Sequence, residues 1–292
     1  VICGFLALDK PAGLTSHGCV ARVRRAYRLK RVGHGGTLDP AVTGVLPLAL
    51  GPATRLLPYL PGGKGYQATI QLGVRTSTDD LQGAVISRQD RPTGLSSATL
   101  EAALAHFRGV IQQRPPAVSA VHVQGQRAYV LARQGRPVLL APRAITIQEL
   151  RLVRWIPELG QLEVEIACSP GTYIRSLARD LGEILGCGGA LGSLRRTHAL
   201  GFSLRQCVPL DALDGGLPPL LDPLAVLSHL PSHLLDVTQL EGWRCGRPQR
   251  SQQEWATGTT VRMVDPDGKL AGLAAVEERG VLRPRLVLDA RG

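Results

Sequence analysis

Apolar and polar positions alternate most regularly at residues 64–72. Tyr66, Ala68, Ile70 and Leu72 fall on one side, and Gln67, Thr69 and Gln71 on the other. A period of two predicts a strand with one buried and one wetted face. Leu162, Val164 and Ile166 repeat the pattern between Glu163 and Glu165, and residues 4–8 form a short apolar strand candidate that Asp9-Lys10-Pro11 breaks. Elsewhere the spacing is three and four, the period of a helix. Val20, Val23 and Tyr27 mark a helix over about residues 17–29, which Thr15 or Ser16 can cap. Leu100, Leu104 and Phe107 mark a second over about 97–108. Ile174, Leu177, Ala178, Leu181, Ile184 and Leu185 mark a third that Gly186 can end. From about residue 236 short strand patterns resume, with Val261 and Met263 leading into the turn Asp265-Pro266-Asp267-Gly268. Residues 214–224, rich in Gly, Pro and Leu, are expected to be a packed connector.

Residues 111–145 interrupt this regularity. Pro115-Pro116, Gly125 and Gly135 punctuate a stretch bearing Arg114, Arg127, Arg133, Arg136 and Arg143. Such a segment is either an ordinary surface insertion or a basic excursion that grips a partner. Charge bears on that choice. Residues 1–235 hold 25 Lys and Arg against 15 Asp and Glu, whereas residues 236–292 hold 9 against 8. A surplus confined to the larger part, made mostly of Arg, suits a polyanionic partner with phosphates. On the first helix Arg22, Arg24, Arg25, Arg28, Lys30 and Arg31 crowd the polar side. They form either a solvated face or an RNA-facing surface, and the charge asymmetry favours RNA.

The 292 residues are 44% hydrophobic and 20% charged, as in a globular chain with one large core, or one large and one small. The six cysteines form no CxxC pair, which points to reduced thiols inside the cell. Neither a signal peptide nor an apolar run long enough to cross a membrane is visible. Because the chain starts at Val1, a short preceding piece is expected.

The densest chemistry lies in residues 31–51. Gly33, Gly35 and Gly36 surround His34, and Thr37-Leu38-Asp39-Pro40 follows. Glycines let backbone approach a ligand closely. Asp39 has two readings. Asp before Pro commonly caps a helix; alternatively it is an exposed carboxylate that does chemistry. No Ser-His-Asp order, catalytic carboxylate pair, Walker loop or zinc cluster appears elsewhere to compete with it. Tyr66 alone reads as strand packing, and His34 alone as structural. Arg175 at a helix start ordinarily reads as a surface charge; because the helix dipole disfavours it there, the other reading is a carboxylate partner such as Asp39. Lys10 and Pro11 read as structural.

Several blocks, in order across residues 4–205, resemble the bacterial TruB family of tRNA pseudouridine synthases. They are residues 8–16 (LDKPAGLTS), 33–40 (GHGGTLDP), 43–47 (TGVLP), Lys64-Gly65-Tyr66 with Leu72-Gly73, and Thr76-Ser77-Thr78-Asp79. Pro115-Pro116, Ser119-Ala120, Gly125 and Arg127 resemble the family's RNA-gripping insertion. Residues 168–175 (CSPGTYIR) and Leu194-Arg195-Arg196-Thr197 complete the set. Gly35 stands where Thr is common, and His122 where Lys is common.

The resemblance implies an α/β fold with a mixed, mostly antiparallel sheet. A catalytic domain over 1–235, with its insertion at about 111–145, would precede a PUA-like RNA-binding domain over 236–292. It implies isomerisation of uridine 55 in the T stem-loop of tRNA, without metal, cofactor or guide RNA, by a cytoplasmic enzyme for which a monomer is the default. Asp39 then resembles the nucleophile, Tyr66 the ring that stacks on the flipped base and relays a proton, and Arg175 the partner of the aspartate. Tyr173 lines the pocket, His34 fills the space the base vacates, and the Leu194 backbone contacts the uracil. Attack at ribose C1′, attack at uracil C6 and removal of a ribose proton stay open as routes. The alternatives are a guide-RNA-dependent synthase, a non-catalytic RNA-binding or RNA-folding module, and a glycoside hydrolase, which would need two suitably spaced carboxylates.

Overall fold

The computed structural model describes residues 2–89, 94–119, 121–123, 125–134, 136 and 140–289, with Tyr129 and Arg133 described by backbone alone. Ala120 and Gly135 of the expected insertion therefore lie outside the described residues.

The large sheet holds strands β1 (Gly4–Lys10), β2 (Thr43–Leu50), β3 (Lys64–Leu72), β4 (Gly109–Gln113), β5 (Arg143–Ile156), β6 (Gln161–Cys168) and β7 (Gly189–Ala199). Their lateral order is β1-β2-β7-β3-β6-β5-β4, with Val208–Pro209 outside β1. Every neighbouring pair in that series is antiparallel except β2 with β7. The sheet is thus mixed and mostly antiparallel. β3 has the alternation the sequence predicts. Tyr66, Ala68, Ile70 and Leu72 join a core with Leu162, Val164 and Ile166 of β6. Leu100 and Leu104 of helix α2 (Ser97–Ala105) and Leu177 and Leu181 of helix α3 (Ile174–Ile184) cover it.

The other half of the sheet is covered on both faces, so β1 and β2 are apolar almost throughout. Leu6, Leu8, Leu46 and Leu48 face Cys19, Val20, Val23 and Tyr27 of helix α1 (Ser16–Tyr27). Thr15 caps that helix by accepting from the Gly18 N–H at 2.9 Å. Phe5, Ala7, Val45 and Ala49 face the opposite way, toward Leu56, Phe202, Leu270 and Leu273. Leu270 and Leu273 belong to a second sheet, in which Ser232–Leu234, Thr260–Val264, Leu270–Val276, Val281–Val287 and Gln249–Arg250 lie side by side. The hairpin expected at residues 265–268 closes there through Asp265 N–H to the Lys269 carbonyl, 2.9 Å. The first strand of this sheet, Ser232–Leu234, precedes residue 236. Among the described residues, no helix is long and apolar enough to cross a membrane.

β1 runs two residues beyond the expected break, because Asp9 and Lys10 still pair with Val45 and Gly44. Part of the basic side of α1 is used within the fold. Arg22 pairs with Asp214, and Arg24 donates to the Val32 carbonyl. Arg25, Arg28, Lys30 and Arg31 are exposed.

Gly44 fixes the β2–β7 seam. It lies opposite Arg196, with φ of 103°, and a Cβ there would sit 2.2 Å from the Arg196 carbonyl oxygen. Gly44→Ala adds left-handed backbone strain to a backbone clash, so it is expected to cost on the order of 3 kcal/mol. Urea unfolding checks this; an unchanged midpoint would mean the seam tolerates separation.

Candidate active site

The loop carrying Asp39 is anchored on both sides of that residue by contacts that leave its carboxylate free. Leu38 is buried against α1, and the Ser16 hydroxyl both accepts from its N–H (2.8 Å) and donates to its carbonyl (3.1 Å). After Asp39, the Pro40 carbonyl accepts from the Gly13 N–H at 2.8 Å and from the Lys10 amine at 3.1 Å. Val42 N–H closes a turn on the Asp39 carbonyl at 3.0 Å. No helix follows: Pro40 and Ala41 form a turn and β2 begins at Thr43. The helix-cap reading of Asp39 is thereby corrected. The apolar residues after Pro40 pack as a strand between two cores, and this outweighs the local Asp-Pro preference.

Lys10, which reads as structural in the sequence, is wholly buried and reaches this loop. Burial pushes its amine down, while the nearby Cys19 and Asp39 work the other way.

Asp39 Oδ2 lies 3.2 Å from Arg175 Nη2, with the carboxylate side chain 53% exposed and the arginine 12%. Of the two sequence readings of Arg175, the carboxylate partner matches this geometry. The guanidinium is fixed from several directions: Nη1 donates to the Thr78 carbonyl (3.1 Å) and Nη2 to the Val118 carbonyl (3.0 Å). Asp80 Oδ2 lies 3.6 Å from Nη1. Asp80 is itself held by the Thr78 hydroxyl and the Gln82 N–H. Of the two carboxylates on Arg175, Asp39 is the one left open to a ligand. A single open carboxylate beside a fixed cation suits nucleophilic or general-base work.

Tyr66 is 6% exposed, so a base that stacks on its ring must first displace what covers it. Burial pushes its hydroxyl up to about 12, against the pull of the Arg196 guanidinium. Lys64, on the same side of β3, carries an amine that burial and then Arg196 push down.

His34 lies on the short strand Val32–His34 beside β2. Its buried Nδ1 makes no hydrogen bond of good geometry among the described residues, and its ring stands edge-on to His17 with centroids 5.9 Å apart. Burial pushes the imidazole down, and the His17 and Arg196 charges add to that. Leu194 is opposite Ala68, packed between the cores on either side. Tyr173 begins α3. Gln113 brackets its backbone with two hydrogen bonds, and its side chain packs on Val121, Ala128 and Leu140 of the insertion. Arg114, at the root of the insertion, gives its carbonyl to the Ser176 hydroxyl and to Arg179. The insertion is therefore seated on the same helix that presents Arg175.

The two departures from the family pattern have local settings. A Cβ at Gly35 would sit 2.2 Å from a terminal methyl of Leu200, so this chain gives that space to the leucine. His122 is exposed and pairs with Arg127 in a small hairpin.

Ser16, Lys10, Asp80 and Arg196 were not singled out as site residues in the sequence. Arg196 lies in the block Leu194-Arg195-Arg196-Thr197, where nothing local distinguishes it from Arg195. Arg195 pairs with Asp9 at 2.7 Å, whereas Arg196 is wholly buried.

Comparison with known proteins gives concordant results. The family described as "TruB family pseudouridylate synthase (N terminal domain)" matches residues 24–174. Two C-terminal families, "tRNA pseudouridylate synthase B C-terminal domain" and "Pseudouridine synthase II TruB, C-terminal", match 175–217 and 231–288. The chain is 57% identical over 300 residues to tRNA pseudouridine synthase B of Synechococcus sp. (strain WH7803), covering 99% of this chain and 98% of that protein. It is 52% identical over 316 residues to the protein so named in Prochlorococcus marinus (strain MIT 9313), with the same coverage. Among solved structures, a Cbf5-Nop10-Gar1 complex contains a chain that matches with a TM-score of 0.72 and 25% identity, over 99% of this chain and 85% of that one. A chain of an H/ACA RNP bound to a substrate RNA containing 2′-deoxyuridine matches with a TM-score of 0.72 and 23% identity, over 98% and 84%, a likeness of fold.

Proposed function

The chain belongs to the TruB family of pseudouridylate synthases, and from that premise we propose that it converts uridine 55 in the T stem-loop of tRNA to pseudouridine, without a guide RNA. The observation that carries the assignment of roles is the 3.2 Å pair between the open carboxylate of Asp39 and the immobilised guanidinium of Arg175. Asp39 acts as nucleophile or base toward the flipped nucleotide. Arg175 keeps the carboxylate aimed. Tyr66 stacks on the uracil and relays a proton, Tyr173 lines the pocket, and the Leu194 backbone contacts the base.

Flipping a base out of a folded loop costs a few kcal/mol. Stacking on an aromatic ring returns roughly 1–3 kcal/mol, and His34 fills the vacated space. The exposed Arg25, Arg28, Lys30 and Arg31 and the basic insertion contact phosphates, while the domain from about residue 236 holds the tRNA from another side. The enzyme works in the cytoplasm as a monomer.

The decisive experiment incubates purified protein with unmodified tRNA, with no cofactor or guide RNA added, and maps pseudouridine. Formation at position 55 is expected. Modification that depends on an added guide RNA would favour the guide-dependent class, and tight binding without modification would favour an RNA-folding module. Affinity measured between 50 and 200 mM salt is expected to fall by about 10³-fold or more if six or more phosphates are contacted. Tyr66→Phe keeps the ring and loses the hydroxyl. A fall of about 10²-fold in single-turnover rate is expected if the hydroxyl relays a proton; an unchanged rate would leave only stacking to this residue.

A further inference from the structure

Tyr66 and Arg196 stand directly opposite one another on the antiparallel strands β3 and β7. Cross-strand partners of this kind bring their Cβ atoms within roughly 4.5–5.5 Å. Arg196 is wholly buried. Its Nε donates to the Val45 carbonyl at 2.8 Å and its Nη2 to the Gly36 carbonyl at 3.0 Å. Among the described residues its buried Nη1 makes no hydrogen bond of good geometry. Among the described residues the groups that favour its charge are first Tyr66, which the guanidinium also meets as a loose hydrogen-bond partner, and then Cys207.

A buried charge without a counter-ion is costly, and so is a buried donor without an acceptor. Both would be relieved by a negative charge on the Tyr66 oxygen. Lys64 carries its amine on the same side of β3, while Cys168 and Asp39 work against a charge on Tyr66. The space over the Gly36 Cα is 3.5 Å from Arg196 Nη1 and 3.8 Å from Lys64 Nζ.

We propose that Arg196 is a positioning residue that holds the ionised form of Tyr66, its Nη1 donating to the tyrosine oxygen once the hydroxyl proton has left. The inference rests on Tyr66 being the proton relay of the proposed reaction. Once C5 of the uracil is bonded to the ribose, C5 still carries its hydrogen. The phenolate oxygen takes that proton. The C5–H electron pair becomes the C5=C6 bond, the former C6=N1 pair moves onto N1, and N1 takes a proton from water. The resulting tyrosine hydroxyl returns a proton to water, so the protons balance and no other reactant is consumed. The same guanidinium ties Gly36 and Val45, which lie on either side of Asp39. One side chain therefore sets both the seat of the nucleophile's loop and the charge state of the relay.

The test uses the full chain with fluorotyrosine at position 66 alone, which lowers the phenol's intrinsic pKa into a range where the fold persists. The 19F shift is followed against pH in the wild-type background, Arg196→Lys and Arg196→Gln. Removing the guanidinium charge in Arg196→Gln is expected to raise the midpoint by roughly 1–3 pH units. Arg196→Lys, which keeps a charge but lacks Nη1, is expected to raise it by less, and it carries the comparison with wild type if Arg196→Gln does not fold. Arg196→Lys is also expected to lower kcat while leaving KM for tRNA within a few fold. An unchanged midpoint in the folded variants would overturn the inference. The titration needs no RNA, so its outcome is independent of whether Asp39 is the nucleophile. Wild-type turnover by Tyr66→Phe would overturn the relay, and the inference with it, whatever the titration gives.

Discussion

Asp39→Asn is expected to abolish pseudouridine formation while leaving tRNA affinity within a few fold of wild type. The amide has nearly the shape of the carboxylate but neither its charge nor its nucleophilicity, and losing a nucleophile costs on the order of 10⁴-fold or more in rate. The structure gives a reason to expect an intact fold. The loop is held by the Leu38 backbone on Ser16, the Pro40 carbonyl on Gly13 and Lys10, and the Asp39 carbonyl on Val42. None of these uses the Asp39 carboxylate, which is 53% exposed. Arg175 would keep Asp80 and two backbone carbonyls. Single-turnover mapping of pseudouridine beside a binding isotherm checks both halves. Turnover near the wild-type rate would remove Asp39 from the chemistry. A large loss of affinity would instead make it a binding residue.

The second large effect is expected at Arg175. Arg175→Ala removes the cation that faces the proposed nucleophile, and losing one such preorganised charge or donor typically lowers kcat by about 10²–10³-fold. Affinity for tRNA should fall much less, because the guanidinium is 12% exposed and turned inward. The same side chain bonds the carbonyls of Thr78 and Val118, so it also joins two loops around the site. Thermal unfolding of the variant must therefore be measured alongside its rate. Arg175→Lys keeps the charge and loses the fork, so an intermediate rate is expected. Near-normal turnover by a folded Arg175→Ala protein would show that Asp39 needs no counter-ion. Loss of folding in the alanine variant together with wild-type rate in the lysine variant would make the residue structural.

These effects concern residues that differ in how openly the sequence displays them. β3 is legible to the residue, because one buried and one wetted face force alternation. α1 and α3 are legible for the same reason at a period of three to four, and Thr15 is a readable cap. The segment after Asp39 is not. Asp-Pro favours a helix start locally, and only burial between two cores makes residues 43–50 a strand.

Charged residues were harder still. Arg22 looks like part of a basic RNA-facing row and is paired with Asp214, 192 positions away in sequence. Arg195 and Arg196 are neighbours of identical type. Strand alternation sends one toward Asp9 and the other into the interior beside Gly36 and Val45. Nothing in the local sequence says which is which.

What the sequence determined by itself is local chemistry and order: the glycine-rich loop that offers Asp39, the tyrosine on an alternating strand, the arginine at a helix start, the uneven positive charge, and the family whose blocks these are. Tertiary structure alone decided that Asp39 meets Arg175 across 136 positions of chain, that Lys10 and Ser16 brace the loop between them, and that Tyr66 faces Arg196 rather than water. The physical reason is the reach of each interaction. Periodicity, turns and caps act over a few residues and are written along the chain. Counter-ions, buried donors and covered rings depend on which strands lie side by side, and here that depends on inserting β7 between β2 and β3.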